Sequence, residues 1–215
     1  FIVVNTRKYS FSFTGASALI SETLVIAKEY HKLNDWNTVQ ISLSDNNHLN
    51  KVKQGTFKRE FSEIKKRLSL LTPNQLQLMI QGSYEEAKFM ILLSLVKAYP
   101  YLFDFIVEVL LNKYLLFDRT LLNSDYTRFV NSKSLQHPEL EKITEITSKK
   151  VKQVVFKLLE QVGLITNIKN GIILKPFLSS QITKVILDDD PVYLSAFLYS
   201  NEEIKVLIEK TNDDN

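Results

Sequence analysis

The residues of this chain that are best suited to chemistry are basic and amide side chains repeated at helical spacing in one segment. Lysine attracts phosphate oxygens through its charge, and glutamine can both donate to and accept from the edge of a base. At about 100° per residue, Lys149, Gln153 and Lys157 project from one side of a helix, with Lys150 and Lys152 flanking them. This pattern favours binding to the phosphates of a nucleic acid, while the solvated outer face of an ordinary helix is the alternative.

Apolar residues in the same segment predict the helix that positions these side chains. They recur three or four residues apart and define one buried side: Val151, Val155, Leu158, Leu159 and Val162. We expect the helix to run from about Ser148 to Val162, with Thr147 or Ser148 as its cap and Gly163 ending it in a left-handed conformation. Phe156 points away from this apolar side, so we expect it to pack against another part of the molecule.

Segments on either side of this helix complete the order of a winged helix-turn-helix. Pro138 and Glu139 suit the first turn of a preceding helix, and residues 144–147 would form the tight connection. Downstream, two apolar runs surround Lys169-Asn170-Gly171, and the Asn-Gly pair is the strongest short-range signal for a β-hairpin. The order of helix, turn, basic helix and hairpin predicts a winged helix over residues 138–175, with the lysine and the asparagine at the tip of the wing.

A second basic segment lies between residues 51 and 67. Its cationic side chains are Lys51, Lys53, Lys58, Arg59, Lys65, Lys66 and Arg67. Arg59 and Lys66 lie opposite the apolar seam of the helix predicted here, whereas Lys51 and Lys53 lie in the loop before it. Glu63 is four residues from both Arg59 and Arg67, so a solvated, salt-bridged helix is the alternative interpretation. Two separated basic elements on one small protein favour a groove for nucleic acid more than either element does alone.

Charge and composition indicate a helical protein with a basic body. The net charge is +3, but residues 176–215 carry three lysines against eight carboxylates, a net −5 that leaves +8 on the first 175 residues. A basic body with an acidic tail is common in nucleic-acid-binding proteins, although acidic tails also serve solubility. Five glycines and five prolines in 215 residues, with long periodic segments, predict a mainly α fold. We predict a multi-helical bundle with a C-terminal winged helix-turn-helix and one short β-hairpin. Its parts would be an N-terminal helical domain (1–120), a winged-helix-like domain (121–187) and an acidic helical tail (188–215).

No residue pattern in the sequence predicts catalysis, a metal or a cofactor. His31, His48 and His137 lie far apart and do not have the spacing of metal ligands. The five glycines are scattered, so they cannot form a phosphate-binding loop. Asp104 and Glu108 share a face of a predicted helix, where we favour an exposed rim or counter-charges for a neighbouring basic helix. We therefore expect a protein that is not an enzyme.

The sequence also predicts a soluble, cytoplasmic protein with no membrane partner. It contains no cysteine, which fits a reducing compartment without proving it. The most lipid-like run, residues 89–96, is much shorter than the ~20 apolar residues that a spanning helix needs.

Several short motifs, taken in order, resemble the BrxA family, a small component of the BREX phage-exclusion systems of bacteria. The motifs are Ser12-Phe13-Thr14-Gly15, Asp35-Trp36, Thr56-Phe57-Lys58-Arg59, Lys97-Ala98-Tyr99, Asp125-Tyr126 and Lys150-Val151-Lys152-Gln153-Val154-Val155-Phe156, which leads to Gly163-Leu164-Ile165. Their order and spacing over about residues 9–175 carry the resemblance. The family typically has arginine where Lys152 stands, and lysine there keeps the charge but loses the planar fork for bidentate contacts.

The resemblance implies a helical, non-catalytic, DNA-binding accessory protein that acts with a methyltransferase, an ATPase and a phosphatase-like protein of the BREX system. The family is also similar to the NusB antitermination fold, which keeps RNA as an alternative ligand. We therefore predict a protein that binds double-stranded DNA, mainly through phosphates, with its winged helix and its second basic helix. A protein adaptor within the BREX complex is the alternative from another class.

Overall fold

A computed structural model of the chain describes residues 7–15, 17–45, 54–169 and 171–213. These residues form a mainly helical fold with one small antiparallel sheet. The α-helices are α1 (Ile20–Leu33), α2 (Trp36–Asp45), α3 (Gln54–Leu68), α4 (Pro73–Gln81), α5 (Tyr84–Ala98), α6 (Pro100–Phe105), α7 (Asn112–Leu115), α8 (Asn123–Ser134), α9 (Glu145–Gln161), α10 (Ser180–Leu187) and α11 (Asn201–Asp213). A π-helical turn (Ile106–Leu111) joins α6 to α7, and 3-10 turns cover Ser12–Gly15, Pro138–Leu140 and Pro191–Phe197. The two strands are β1 (Thr120–Leu121) and β2 (Gly171–Ile172).

Helix α5 lies at the centre of the core because it is apolar on nearly every side. Ser83 caps it in a reciprocal capping box with Glu86, and every residue from Phe89 to Val96 is buried. Pro100 then begins α6. Among the described residues no single helix is long and apolar enough to cross a bilayer; residues 84–98 and 100–115 pass that test only jointly, bent by 111°.

The two apolar runs of the predicted β-hairpin do pair, but Gly171 belongs to strand β2 rather than to a two-residue turn, and a strand that the sequence did not reveal pairs with β2. Ile165 bridges Ile173 in antiparallel fashion, and the N–H of Thr166 donates to the carbonyl of Ile172 at 3.0 Å. On its other side β2 pairs with β1, with Thr120 opposite Ile172. The sheet therefore joins the hairpin to the chain that follows α7.

The helix predicted from Pro138 is wrong, and so is the predicted start of the helix after it. Residues 138–140 form a single 3-10 turn, because Glu139 is engaged in a tertiary contact: its carboxylate accepts from the N–H of Tyr9 at 2.5 Å. The helix before α9 is instead α8. Helix α9 begins at Glu145 rather than Ser148, since the hydroxyl of Thr144 caps it by accepting from the N–H of Thr147 at 3.2 Å.

The end and the buried side of α9 agree with the sequence. Gly163 follows the helix with φ of 83°, the left-handed conformation expected there. Phe156 is buried away from the main apolar side and packs edge-on against Tyr126 of α8, with ring centroids 6.2 Å apart. This contact fixes α9 against α8.

The paired carboxylates Asp104 and Glu108 serve as counter-charges, which confirms that interpretation of the sequence. Lys133 of α8 lies 3.7 Å from the Asp104 carboxylate and donates a hydrogen bond to Glu108. Asp104 also accepts from the hydroxyl of Tyr9 at 2.6 Å, and the Tyr9 ring stacks on His137 at 3.6 Å between centroids. The N-terminal segment is thereby joined to α6, α8 and the turn before α9.

Candidate nucleic-acid interface

Helix α9 presents a polar outer face, as its hydrophobic periodicity requires. Lys149, Lys150, Gln153 and Lys157 are all exposed, and they fall within about 100° of arc at 100° per residue. Lys152 is half-buried and lies about 60° beyond Lys149 around the helix axis, outside the arc of these four residues. The structure therefore groups four of the five predicted residues of this helix on one face.

Two of these lysines make ion pairs within the helix. Lys149 lies 2.7 Å from Glu145, and Lys157 lies 2.6 Å from Glu160. The side chains of Lys149 and Lys157 are 69% and 51% exposed, and ion pairs in such positions contribute at most about 1 kcal/mol because water screens them. A phosphate could displace either carboxylate at little cost.

A cleft of about 420 Å³ runs between α9 and the segment that leads from the first 3-10 turn to α1. Lys150, Gln153 and Lys157 line one wall, while Thr14, Gly15 and Ser17 are among the residues of the other. One turn beyond Lys157, α9 contacts the other wall directly: the side-chain carbonyl of Gln161 accepts a hydrogen bond from the backbone N–H of Ala18 at 3.2 Å. The cleft is open and mixed in polarity: two cationic side chains of α9 border it, and Glu60 of α3 adds one carboxylate.

The basic helix α3 reaches the same cleft from the opposite side. Glu60 of α3 lines it, and the Nε of the preceding residue, Arg59, lies 3.7 Å from the position that a Cβ on Gly15 would occupy, so this guanidinium lies beside the Gly15 wall. Lys58 is exposed beside it. Lys66 is exposed seven residues further on, on the same side of α3, with its Nζ 4.3 Å from the ring centroid of Tyr99. Helices α3 and α9 thus border one cleft through Glu60 and Lys150, although about 90 residues separate these two in sequence.

Glu63 and Arg67 form the expected ion pair, but the pair is buried rather than solvent-exposed. Arg67 is fully buried, and its Nε donates to Glu63 at 2.9 Å. Its guanidinium also donates to the carbonyls of Ser17 at 3.1 Å and Ala18 at 3.3 Å. These bonds hold the far wall of the cleft against α3. Arg67 lies only about 60° from Ile64 at 100° per residue, which places it at the edge of the buried side, and its contacts with Ser17 and Ala18 complete its burial.

Both carboxylate oxygens of Glu63 are used within the same buried network, since Oε1 accepts from Arg67 and Tyr99 and Oε2 accepts from Ser12. The hydroxyl of Ser12 donates to Glu63 at 3.1 Å, and the hydroxyl of Tyr99 also donates to it. Burial, and the hydrogen bond to the Glu63 carboxylate, raise the pKa of Tyr99, which stays neutral and a donor. The network positions the 3-10 turn that leads into the cleft wall.

The other predicted contact residues lie away from the cleft or outside the described residues. Lys169 is exposed in the hairpin loop, where its N–H donates to the side chain of Asn167 at 2.9 Å. Asn170, Lys51 and Lys53 fall outside the part of the chain that the structure describes. Within the described ranges no group of three or more His, Asp or Glu side chains is arranged to hold a metal ion.

These features define a helical protein with a small antiparallel sheet and an open cleft, lined by two lysines of α9, that two distant helices border. The chain belongs to the BrxA family, whose model matches residues 7–190. A BREX protein BrxA from Escherichia coli O9:H4 (strain HS) is 25% identical over 164 residues, which cover 76% of this chain and 77% of that protein. A BREX protein BrxA from Bacillus cereus (strain H3081.97) is 27% identical over 126 residues, which cover 58% of this chain and 63% of that protein.

A solved structure shares the fold. The crystal structure of an uncharacterized protein from Magnetospirillum magneticum superposes with a TM-score of 0.78 over 89% of this chain and 98% of the other. The two sequences are 19% identical, so this likeness concerns the fold alone.

Proposed function

We propose that this protein is a non-catalytic, double-stranded-DNA-binding component of a BREX anti-phage system. The observation that carries the proposal is that α3 and α9 border one open cleft, with Lys150 and Lys157 of α9 lining it and Arg59 of α3 beside its Gly15 wall. Membership of the BrxA family and the names of its relatives support the BREX assignment. In this proposal the methyltransferase, ATPase and phosphatase-like proteins of the system are its partners.

The order of elements around α9 supports a winged helix as the DNA-binding unit. Residues 100–115, β1, α8, α9 and the hairpin follow one another as helix, strand, helix, helix and wing, with β1 paired to the second strand of the hairpin. In such a unit the last helix enters the major groove and its N-terminal residues face the base edges. In this proposal α9 is that helix, and its exposed basic face is the surface that would meet the DNA. The division into domains 1–120, 121–187 and 188–215 stays a prediction.

Phosphate contacts supply most of the binding in this proposal. Lys149, Lys150 and Lys157 approach one strand from α9, Lys169 contacts a neighbouring phosphate from the wing, and Arg59 extends the track across the cleft. Lysine is suited to this role because it acts as a flexible point charge rather than as a planar fork. The expected consequence is strong salt dependence with weak sequence preference.

The test is a salt titration of binding to a labelled DNA duplex, measured by fluorescence anisotropy. If about five phosphates are neutralised, log affinity falls against log salt with a slope near −4.5. Structured RNA is added as a competitor in the same assay. Binding that ignores salt, or RNA that displaces the duplex at equal concentration, would overturn duplex DNA as the preferred ligand.

A protein adaptor is the second candidate, because the surface beside β1 is apolar. Leu116 and Phe117 are 78% and 83% exposed, and Leu122 on the other side of the strand is 51% exposed. Large clusters of exposed apolar residues are rare on soluble proteins and usually mark a site of protein interaction. The variant Lys149→Glu with Lys150→Glu separates the two functions. Loss of DNA binding with capture of BREX partners intact supports the DNA-binding proposal, and the opposite result supports the adaptor.

A further inference from the structure

An exposed isoleucine stands in the middle of the basic face of α9. Ile146 is the second residue of the helix and its side chain is 82% exposed. At 100° per residue it lies about 20° from Gln153 and about 40° from Lys150 around the helix axis. It is therefore the apolar member of the face that carries the lysines.

The other side chains of this first turn are already engaged. Thr144 and Thr147 bond to each other through the helix cap, with 3.0 Å between their hydroxyl oxygens, and Glu145 pairs with Lys149. Ile146 alone among these four makes no polar contact and projects outward from the end of the helix. Its β-branched side chain has few rotamers, so it loses little conformational freedom when it is buried against a partner.

We propose that Ile146 contacts the C5-methyl group of thymine in the major groove and gives this protein a preference for duplexes with thymine on the contacted strand. The inference rests on the proposed function, in which α9 enters that groove. The residues at the N-terminus of a recognition helix are the ones that reach base edges. The thymine methyl is the apolar group that the major groove displays, and an aliphatic side chain flanked by phosphate-binding lysines complements it.

Loss of a single methyl contact sets the size of the expected effect. Replacing thymine by deoxyuridine removes the C5-methyl group and keeps the hydrogen-bonding edge of the base. We expect affinity to fall about fourfold for one contacted base, which corresponds to about 0.8 kcal/mol, as for the removal of one buried methylene group.

The experiment is a four-way comparison of two proteins and two duplexes at fixed salt. The parent protein and Ile146→Ala are titrated against an alternating A·T duplex and against the matching duplex with deoxyuridine in place of thymine. The proposal expects the parent to prefer the thymine duplex and Ile146→Ala to bind both equally. Ile41→Ala is the matched control, because Ile41 of α2 is 62% exposed and lies outside the proposed surface.

Each outcome bears on one of the two proposals. Equal binding of the parent to both duplexes, with its salt dependence intact, overturns thymine contact and leaves the proposed function standing. A thymine preference that Ile146→Ala retains assigns the preference to another residue and also overturns the inference. Absence of salt-dependent binding to either duplex overturns the proposed function and this inference with it.

Discussion

Neutralising the two lysines of α9 that line the cleft is the most direct perturbation of the proposed DNA surface. Replacing Lys150 and Lys157 by glutamine removes two charges and keeps polar side chains on the helix. If these two act with Lys149, Lys169 and Arg59 on five phosphates, the slope of log affinity against log salt changes from about −4.5 to about −2.7. At roughly 0.1 M salt the same relation gives a roughly 60-fold loss of affinity.

Fluorescence anisotropy of a labelled duplex at several salt concentrations measures both quantities. The control is the double variant Lys28→Gln with Lys205→Gln, which removes the same net charge from exposed positions on α1 and α11. It should leave the slope unchanged, because those lysines lie outside the proposed surface. Equal losses in the two double variants would mean that net charge rather than the cleft governs binding. A parental slope in the cleft variant would equally refute the reasoning.

Three further predictions concern stability, each measured by urea unfolding. Arg67→Ala should lower the free energy of unfolding by about 3–5 kcal/mol because it leaves the Glu63 carboxylate buried and unpaired. Arg59 is exposed on the same helix, so the free energy of unfolding of Arg59→Ala should stay within about 0.5 kcal/mol of the parent value. Gly163→Ala should destabilise by about 1–2 kcal/mol because φ there is left-handed, while Gly55→Ala, with nothing within 4 Å of the added Cβ, should be neutral or slightly stabilising. Burial raises the pKa of Glu139, but the bond from the Tyr9 N–H and the neighbouring His137 outweigh it and hold that pKa below 4.5. The ionised Glu139 carboxylate therefore contributes fully to the free energy of unfolding above pH 4.5, and this contribution is lost as the pH falls through the lowered pKa. Glu139→Gln should accordingly be less stable than the parent at neutral pH and equally stable in acid.

Local signals in the sequence predicted several elements correctly. The apolar spacing of α9, the left-handed Gly163 and the pairing of the apolar runs on either side of residues 167–171 all depend on residues within a few positions of one another. The helix at Pro138 was wrong because a proline and an acid fit the first turn of a helix, but they fit a lone 3-10 turn equally well. The contact of Glu139 with Tyr9, 130 residues away, decided between the two.

The candidate surface was predicted in its parts and not in its arrangement. Composition and periodicity identified the outward lysines of α9 and the basic helix α3, because both properties can be read along one helix. The sequence did not reveal that Arg67 is a buried structural residue and that Arg59 borders the cleft beside Gly15.

The sequence by itself determined most of the helical segments and which of their faces carry charge, since these properties follow from neighbours within one or two turns, although it misplaced the cap of α9 and the helix at Pro138. The tertiary structure alone decided which of the charged side chains are buried as ion pairs and which remain on the surface. It also decided that α3 and α9 border one cleft. The physical reason is that burial and pairing depend on elements that meet across long stretches of chain, and no local spacing encodes those distances.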